Sequence, residues 1–159
     1  MSTDDTFMRV SMTTWEQDKD ALTEVRMEVF VVEQHCPEVE ELDGKDPEYM
    51  HVKAEIGGEV IGTARMCPTS GYIGRVAVLA KHRGRGVGTM LVQRLHMEAE
   101  VLGLTETYLG AQLTAEEFYC KLGYVRSNQD IFMDGGLEHV RMHRTITPMT
   151  SLLSGNLFW

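Results

Sequence analysis

The chain is poor in the residues that staple or tether a protein. It has three cysteines in 159 residues (Cys36, Cys67 and Cys120), an odd count with no C-x-x-C spacing. That excludes a disulfide framework and a cysteine zinc cluster, and it fits reduced thiols in a cytoplasmic setting. No stretch approaches the ~20 apolar residues of a membrane span. The opening "MSTDDTFMRV" is acidic and lacks the apolar core of a signal peptide. Positive charge is also scarce: 15 Lys and Arg stand against 24 Asp and Glu, for a net charge of −9. Such a balance argues against nucleic acid as the main partner, because phosphate binding draws on an excess of cations. There are no repeats and no low-complexity linker. One domain is expected at this length, with enough buried surface to need no staple.

Against that background the short run "HRGRGVG", residues 82–88, stands out. It follows a β-rich "IGRVAVL" and precedes "TMLVQRLHMEAEVL". In the helix that follows, Val87, Leu91, Leu95, Ala99 and Leu102 recur at three- and four-residue spacing. The other predicted strands are near residue 7, on either side of a Gly57-Gly58 turn, in "TETYLGAQL", and in "GYVRS", "IFMD" and "LEHVRMHR". A first helix covers residues 14–34, with Leu22, Val25 and Val29 on one face and Arg26 and Phe30 one step round. Thr114 and Glu117 have capping-box spacing, which predicts a short helix from Ala115 to Gly123. The order β-α-β-β-β-α-β-α-β-β describes a mixed α/β sheet flanked by helices.

A strand that breaks into glycines and enters a helix suits an anion. The first helical N–H groups lack internal partners and the helix dipole adds positive potential. Glycine lets a ligand reach the backbone, and Arg83 and Arg85 can add charged contacts. A phosphate or pyrophosphate fits, although a solvated turn capping the helix also accounts for the run. The P-loop and dinucleotide patterns both fail here; what stands is Arg83-x-x-Gly86-x-Gly88.

That pattern resembles the pyrophosphate loop of the GCN5-related N-acetyltransferases, the GNAT family, which bind acetyl-CoA. "AEEFYCKLGYV" resembles a later helix of the same family. "RMEVFVVEQHCPEVEELDGKD" resembles the first helix and loop of its ElaA-like branch. The resemblance covers residues 24–144 in order. It implies a single-domain acyl-CoA N-acyltransferase fold over residues 1–145 and direct transfer, in a ternary complex, from acetyl-CoA to a small-molecule primary amine. By resemblance, the backbone of Arg83, Gly84, Arg85, Gly86, Val87, Gly88 and Thr89 grips the coenzyme. Val76, Ala77 and Val78, on a locally splayed strand, take the pantetheine arm, with Phe118 and Tyr119 beside it.

Tyr119 is the implied general acid, or else a core aromatic. Candidates for the base are Glu33, His35, His51 and His139, with His139 favoured; its alternative is an exposed strand histidine. Arg26, Phe30, Glu33, Gln34, His51 and Arg75 are the expected acceptor side, with Arg26 and Glu33 on one helical face at seven-residue spacing. That pair also reads as a helix-surface charge pattern. The acidic loop from Glu38 to Glu48 either draws a cationic acceptor or is simply solvated. Cys120 is expected to be a buried spectator. No histidine spacing suggests a metal. The apolar tail, residues 146–159, is expected to dock on the domain or form a homodimer contact. A sensor that binds acyl-CoA without turnover, and a structural protein whose Arg/Gly loop only turns the chain, are the alternatives in other classes.

Overall fold

Two antiparallel half-sheets meet at a single point in the computed structural model, which describes residues 7–147. The first half-sheet has the order β1-β2-β3-β4, from Met8–Thr13, Met50–Ile56, Glu59–Met66 and Ile73–Val78. The second has the order β5-β7-β6, from Glu106–Gln112, Leu137–Thr145 and Val125–Asp134. An isolated parallel bridge, Tyr72 to Tyr108, joins them, and Tyr108 donates its N–H to the Gly71 carbonyl at 3.1 Å. Beyond that bridge no ladder forms between β4 and β5, and the strands part. The sheet is therefore mixed, and its parting edges leave backbone groups unpaired.

The elements follow from local chemistry. Helix α1, Trp15–Arg26, starts at Thr14, whose hydroxyl accepts from the Gln17 N–H at 3.2 Å. The β2–β3 hairpin turns on Gly57 and Gly58, both at positive φ, as a tight two-residue turn requires. Helix α3, Val87–Val101, buries Val87, Leu91, Leu95 and Ala99 without exposure above 2%. With Ile61, Met66, Val140 and Met142 they form the main core. Leu102 departs from that stripe. It lies at the helix end and is exposed, because Gly103 at φ 75° turns the chain away.

Three other expectations fail. Thr114 does not cap the late helix. The chain enters through a 3₁₀ turn, Leu113–Ala115, so α4 runs Glu116–Lys121 with no side-chain cap. "GYVRS" and "IFMD" belong to one ten-residue strand, β6, whose register shifts between Arg126 and Ile131. Cys120 is exposed. Ile146, the first residue of the expected tail, packs into the core and donates its N–H to the Thr105 carbonyl at 2.8 Å. The rest of the expected tail, residues 148–159, lies outside the described residues.

The largest departure is after α1. Met27–Glu33 is π-helical, ending with the Gln34 N–H on the Val29 carbonyl at 3.1 Å. Five-residue closure turns the chain by less than ~100° per residue, so seven-residue spacing no longer returns to one face. Arg26 and Glu33 therefore part company. Arg26 is 1% exposed, whereas Glu33 reaches the surface.

Arg26 anchors a buried ion network under the acidic loop. It donates to the Glu41 carboxylate and, at 2.7 and 3.2 Å, to Asp46. Arg65 holds Asp46 at 2.9 Å and Asp43 at 2.5 Å. The loop is anchored rather than free: it forms helix α2, Glu38–Glu41, and a 3₁₀ turn, Asp46–Glu48, with Glu41 and Asp46 buried and its other residues exposed to solvent. His51 joins this network from below. Its Nε2 lies 2.9 Å from the Asp46 carbonyl, its ring lies 5.4 Å from Trp15, and burial lowers its pKa.

All three cysteines are free. Cys67 sits in the β3–β4 turn. Burial pushes its thiol up, but hydrogen bonds from Ser70 and Thr69 outweigh that and bring it down to about 7. Burial and the charges of Glu40 and Glu41 push Cys36 up instead. Because the thiolate is the nucleophile, iodoacetamide near neutral pH should label Cys67 well before Cys36, and the Cys67 rate should level off above about pH 7. Peptide mapping by mass spectrometry checks the order.

Candidate active site

Where β4 and β5 part, a cleft of about 520 Å³ opens, within the range of ligand sites. One wall comes from β4 and the loop into α3, the opposite wall from β5, α4 and β7.

The loop's glycines act for two different reasons. Gly84 and Gly86 have φ of 78° and 79°, a left-handed backbone that side chains rarely adopt. Gly88 answers a steric demand: a Cβ there would lie 3.2 Å from Cζ of Phe118. Gly86 is the N-cap of α3 and supplies no side-chain hydrogen bond. The first amides, those of Val87, Gly88 and Thr89, thus lack capping partners, and these residues line the cleft.

The two arginines do not both face this end. Arg83 lines the cleft, but its guanidinium is bidentate on Glu33 at 2.6 and 2.8 Å, and its Nε donates to the Val78 carbonyl at 2.9 Å. Arg85 is exposed beside His82, away from the lining. Glu33 is likewise outside the lining. Arg83 donates one hydrogen bond to each Glu33 carboxylate oxygen and holds the carboxyl below the usual range. That is a poor setting for a base.

On β4, the Leu79 N–H donates to the Ile61 carbonyl at 2.9 Å. Backbone groups alternate sides along a strand, so Ala77 also faces β3, where it is paired with Thr63. Val76 and Val78 point the other way, into the cleft. Arg83 takes the Val78 carbonyl, which leaves the Val78 N–H on the cleft side. All three expected positions line the cleft, Ala77 while its backbone pairs with β3. A bulge just before it sets two residues, Arg75 and Val76, opposite Ala64, with Arg75 in the left-handed region at φ 51°.

On the opposite wall, Tyr119 is 8% exposed and lines the cleft, with its ring edge-on to Phe118 and Tyr124 at 4.9 and 5.7 Å. It is both a packed aromatic and a cleft residue. Burial, with Tyr124 and Tyr72 near by, pushes its phenol well above the ordinary range, so it carries its proton throughout neutral pH.

His139, on β7, is buried rather than exposed and also lines the cleft. Its Nδ1 lies 2.8 Å from the Leu137 carbonyl. A carbonyl only accepts, so Nδ1 donates this bond, and in the neutral ring the lone pair is the one on Nε2. Phe132 packs 5.5 Å from the ring. Gly110 makes room for Phe132, since a Cβ there would stand 2.9 Å from Cζ.

Of the expected acceptor residues, Phe30, Gln34 and Arg75 line the cleft. Gln34 accepts from Gln112 across it at 3.0 Å. Arg26 and His51 do not line it; both belong to the buried network. The cleft also recruits Cys36, Tyr72, Gln112 and Asp134, which sequence reasoning missed. The Gly135-Gly136 turn that delivers Asp134 was the available signal. Among the described residues no helix is long and apolar enough to span a membrane, and no three His, Cys, Asp or Glu side chains are placed to hold a metal ion.

Residues 18–146 match the family profile described as an acetyltransferase (GNAT) domain. The chain is 38% identical over 129 residues to the uncharacterized N-acetyltransferase YjcF of Bacillus subtilis (strain 168), a match covering 80% of this chain and 91% of that one. It is 31% identical over 134 residues to protein ElaA of Escherichia coli (strain K12), covering 79% and 86%. The crystal structure of that Escherichia coli protein superposes with a TM-score of 0.76 at 27% identity, covering 87% of this chain and 99% of the other. An acyl-CoA N-acyltransferase from Pseudomonas aeruginosa superposes with a TM-score of 0.78 at 31% identity, with the same coverage.

Proposed function

This chain belongs to the GNAT acetyltransferase family, with the likeness of its ElaA-like branch, and from that premise we propose that it moves the acetyl group of acetyl-CoA directly onto the primary amine of a small molecule in the cytoplasm. The observation that carries the reading is the uncapped start of α3 at one side of a cleft whose other side presents Tyr119 and the free Nε2 of His139.

The amides of Val87, Gly88 and Thr89 would receive the pyrophosphate, with the positive end of the α3 dipole behind them. The donor supplies an activated thioester. The backbone of Val76 and the Val78 N–H would hold its pantetheine arm and carbonyl against β4. One preorganised oxyanion donor is worth about 10²–10³ in rate. Phe118 and Val87 would pack beside the arm. His139 Nε2 would take a proton from the incoming ammonium, which at an ordinary pKa near ~10.4 is neutral in only about one part in a thousand at pH 7. As the C–N bond forms and the C–S bond breaks, Tyr119 would give its proton to the departing thiolate and regain one from the new amide nitrogen. Cys36 also lines the cleft, but its thiol is held protonated by burial and the neighbouring carboxylates. That favours direct transfer over an acyl-enzyme.

The test is a panel of amines with acetyl-CoA, scored by thiol release and acetylated product. Turnover with one amine supports the reading; CoA binding without turnover on any amine supports a sensor instead. Gly88→Val should weaken CoA binding by about tenfold or more in calorimetry, because its methyls would meet Phe118 and crowd the amides. Unchanged affinity would remove the pyrophosphate from this helix.

A further inference from the structure

We infer that Arg75 is a positioning residue that fastens the acceptor wall to the β4 backbone, through its grip on the Glu40–Asp43 segment. This rests on the proposed reading of that end of the cleft as the acceptor side.

The residue is placed at some backbone cost. It is one of two non-glycine residues with positive φ among the described residues, and it occupies the left-handed position of the β4 bulge. Glycine would serve a bulge of this kind with less strain. The side chain shows what arginine adds. Its guanidinium donates to the carbonyls of Glu40 and Glu41 at 3.1 and 3.2 Å. Its Nε lies 3.0 Å from the Glu41 carboxylate, and its outer nitrogen 3.5 Å from Asp43. Arg75 lines the cleft where the acceptor is expected, and these contacts tie it to the loop as well.

The two ends of that link are the parts a transfer reaction must keep in register. Arg75 is bonded in sequence to Val76, which lines the cleft. Glu40, Glu41 and Cys36 line the same cleft from the loop side. Arg26 and Arg65 pin the loop from beneath, through Glu41, Asp43 and Asp46. Arg75 alone of these arginines reaches the loop from the cleft wall. A slip of this wall would misplace an amine relative to the thioester without touching the coenzyme loop.

Cys36 reports the position of the wall without any acceptor being known. Its Sγ lies 3.6 Å from the Pro37 carbonyl and 4.0 Å from Glu40, and a Cβ on Gly135 would stand 3.2 Å away. The thiol is thus wedged between the loop and the β6–β7 turn. Arg75→Gly keeps the bulge and removes the grip. In a variant whose only cysteine is Cys36, Arg75→Gly should raise the iodoacetamide rate by about tenfold on the alkaline plateau, where loss of the Arg75 charge no longer lowers the thiolate fraction. In a variant whose only cysteine is Cys67, the same change should leave the rate unaltered. CoA affinity by calorimetry should also be unaltered, and for any amine that turns over the KM of the amine should rise while that of acetyl-CoA holds. Should Arg75→Gly fail to fold, Arg75→Lys, which keeps the charge but not the fork, should show a smaller rise at Cys36. A Cys36 rate equal to that of the unsubstituted enzyme, or an equal rise at both cysteines, overturns the assignment. Neither alkylation assay uses acetyl transfer, so absent CoA binding in the parent protein would condemn the functional reading separately.

Discussion

Replacing Tyr119 with phenylalanine should lower kcat by about 10²–10⁴-fold, the range for loss of a positioned acid. The dissociation constant of CoA should not move. The change is clean because the phenol has no hydrogen-bond partner among the described residues, while its ring is packed edge-on against Phe118 and Tyr124. Removing the oxygen leaves those contacts in place and strands no buried partner, so stability should hold or rise slightly. A purely structural Tyr119 would therefore leave both turnover and melting temperature unchanged, and single-turnover kinetics would show it. The pH profile has a definite sign. Burial raises this phenol, so the acid form persists as pH rises through neutrality, and any alkaline loss due to Tyr119 comes above the ordinary phenol range.

Arg26→Ala should destabilise the protein by about 3–5 kcal/mol, because one partner of a buried ion network is removed and the carboxylates it faced remain. That is a large part of a typical total of about 5–15 kcal/mol, so the melting temperature should fall by roughly 10 °C or the variant should fail to accumulate. Thermal denaturation measures it. If Arg26 instead contacted the acceptor, the loss would appear in the KM of the amine with little change in melting. The network also sets an acid limit. Burial raises the Asp46 carboxyl, but hydrogen bonds and charge from Arg26 and Arg65 prevail and hold it down; Asp43 is held down by Arg65 in the same way. Carboxylates lowered in the folded state contribute fully above their unfolded pKa, near ~4, and lose that contribution as pH falls through the folded values. These carboxylates should therefore keep their contribution through mildly acid pH and lose it below about pH 4, whereas the lowered pKa of the buried His51 and His96 already costs stability as pH falls below about 6.5.

How much of this was legible depended on whether the cause was local. Gly84 and Gly86 are demanded by their own backbone angles, and the uncapped entry to α3 lies within a few residues of them, so a short quotation of sequence carries the site's anion end. The buried stripe of α3 and the Gly57-Gly58 turn were legible for the same reason. Arg26 and Glu33 were misjudged because a 3.6-residue period was laid over a π-helical stretch that no local residue announces. The ion network was invisible because Arg26 meets carboxylates 15 and 20 positions away, and Arg65 reaches back 22 to Asp43. Gly88 is intermediate. The pattern flagged it, but its reason, the ring of Phe118, comes from another element. His139 was placed on the correct face by strand alternation, although its burial depends on Phe132 and the space left by Gly110.

The bare entrance to α3 has a thermodynamic consequence. A helix that supplies no cap of its own leaves donors to be satisfied from outside, so on the proposed reading the folded state is completed by its coenzyme. Mass action then ties the persistence of the enzyme to the supply of that coenzyme: every tenfold increase in free ligand beyond the dissociation constant deepens the native well by about 1.4 kcal/mol. A cell starved of activated acyl groups and their carrier would hold this protein nearer its threshold for unfolding, and well-fed cells would protect it from turnover by the simple presence of what it consumes.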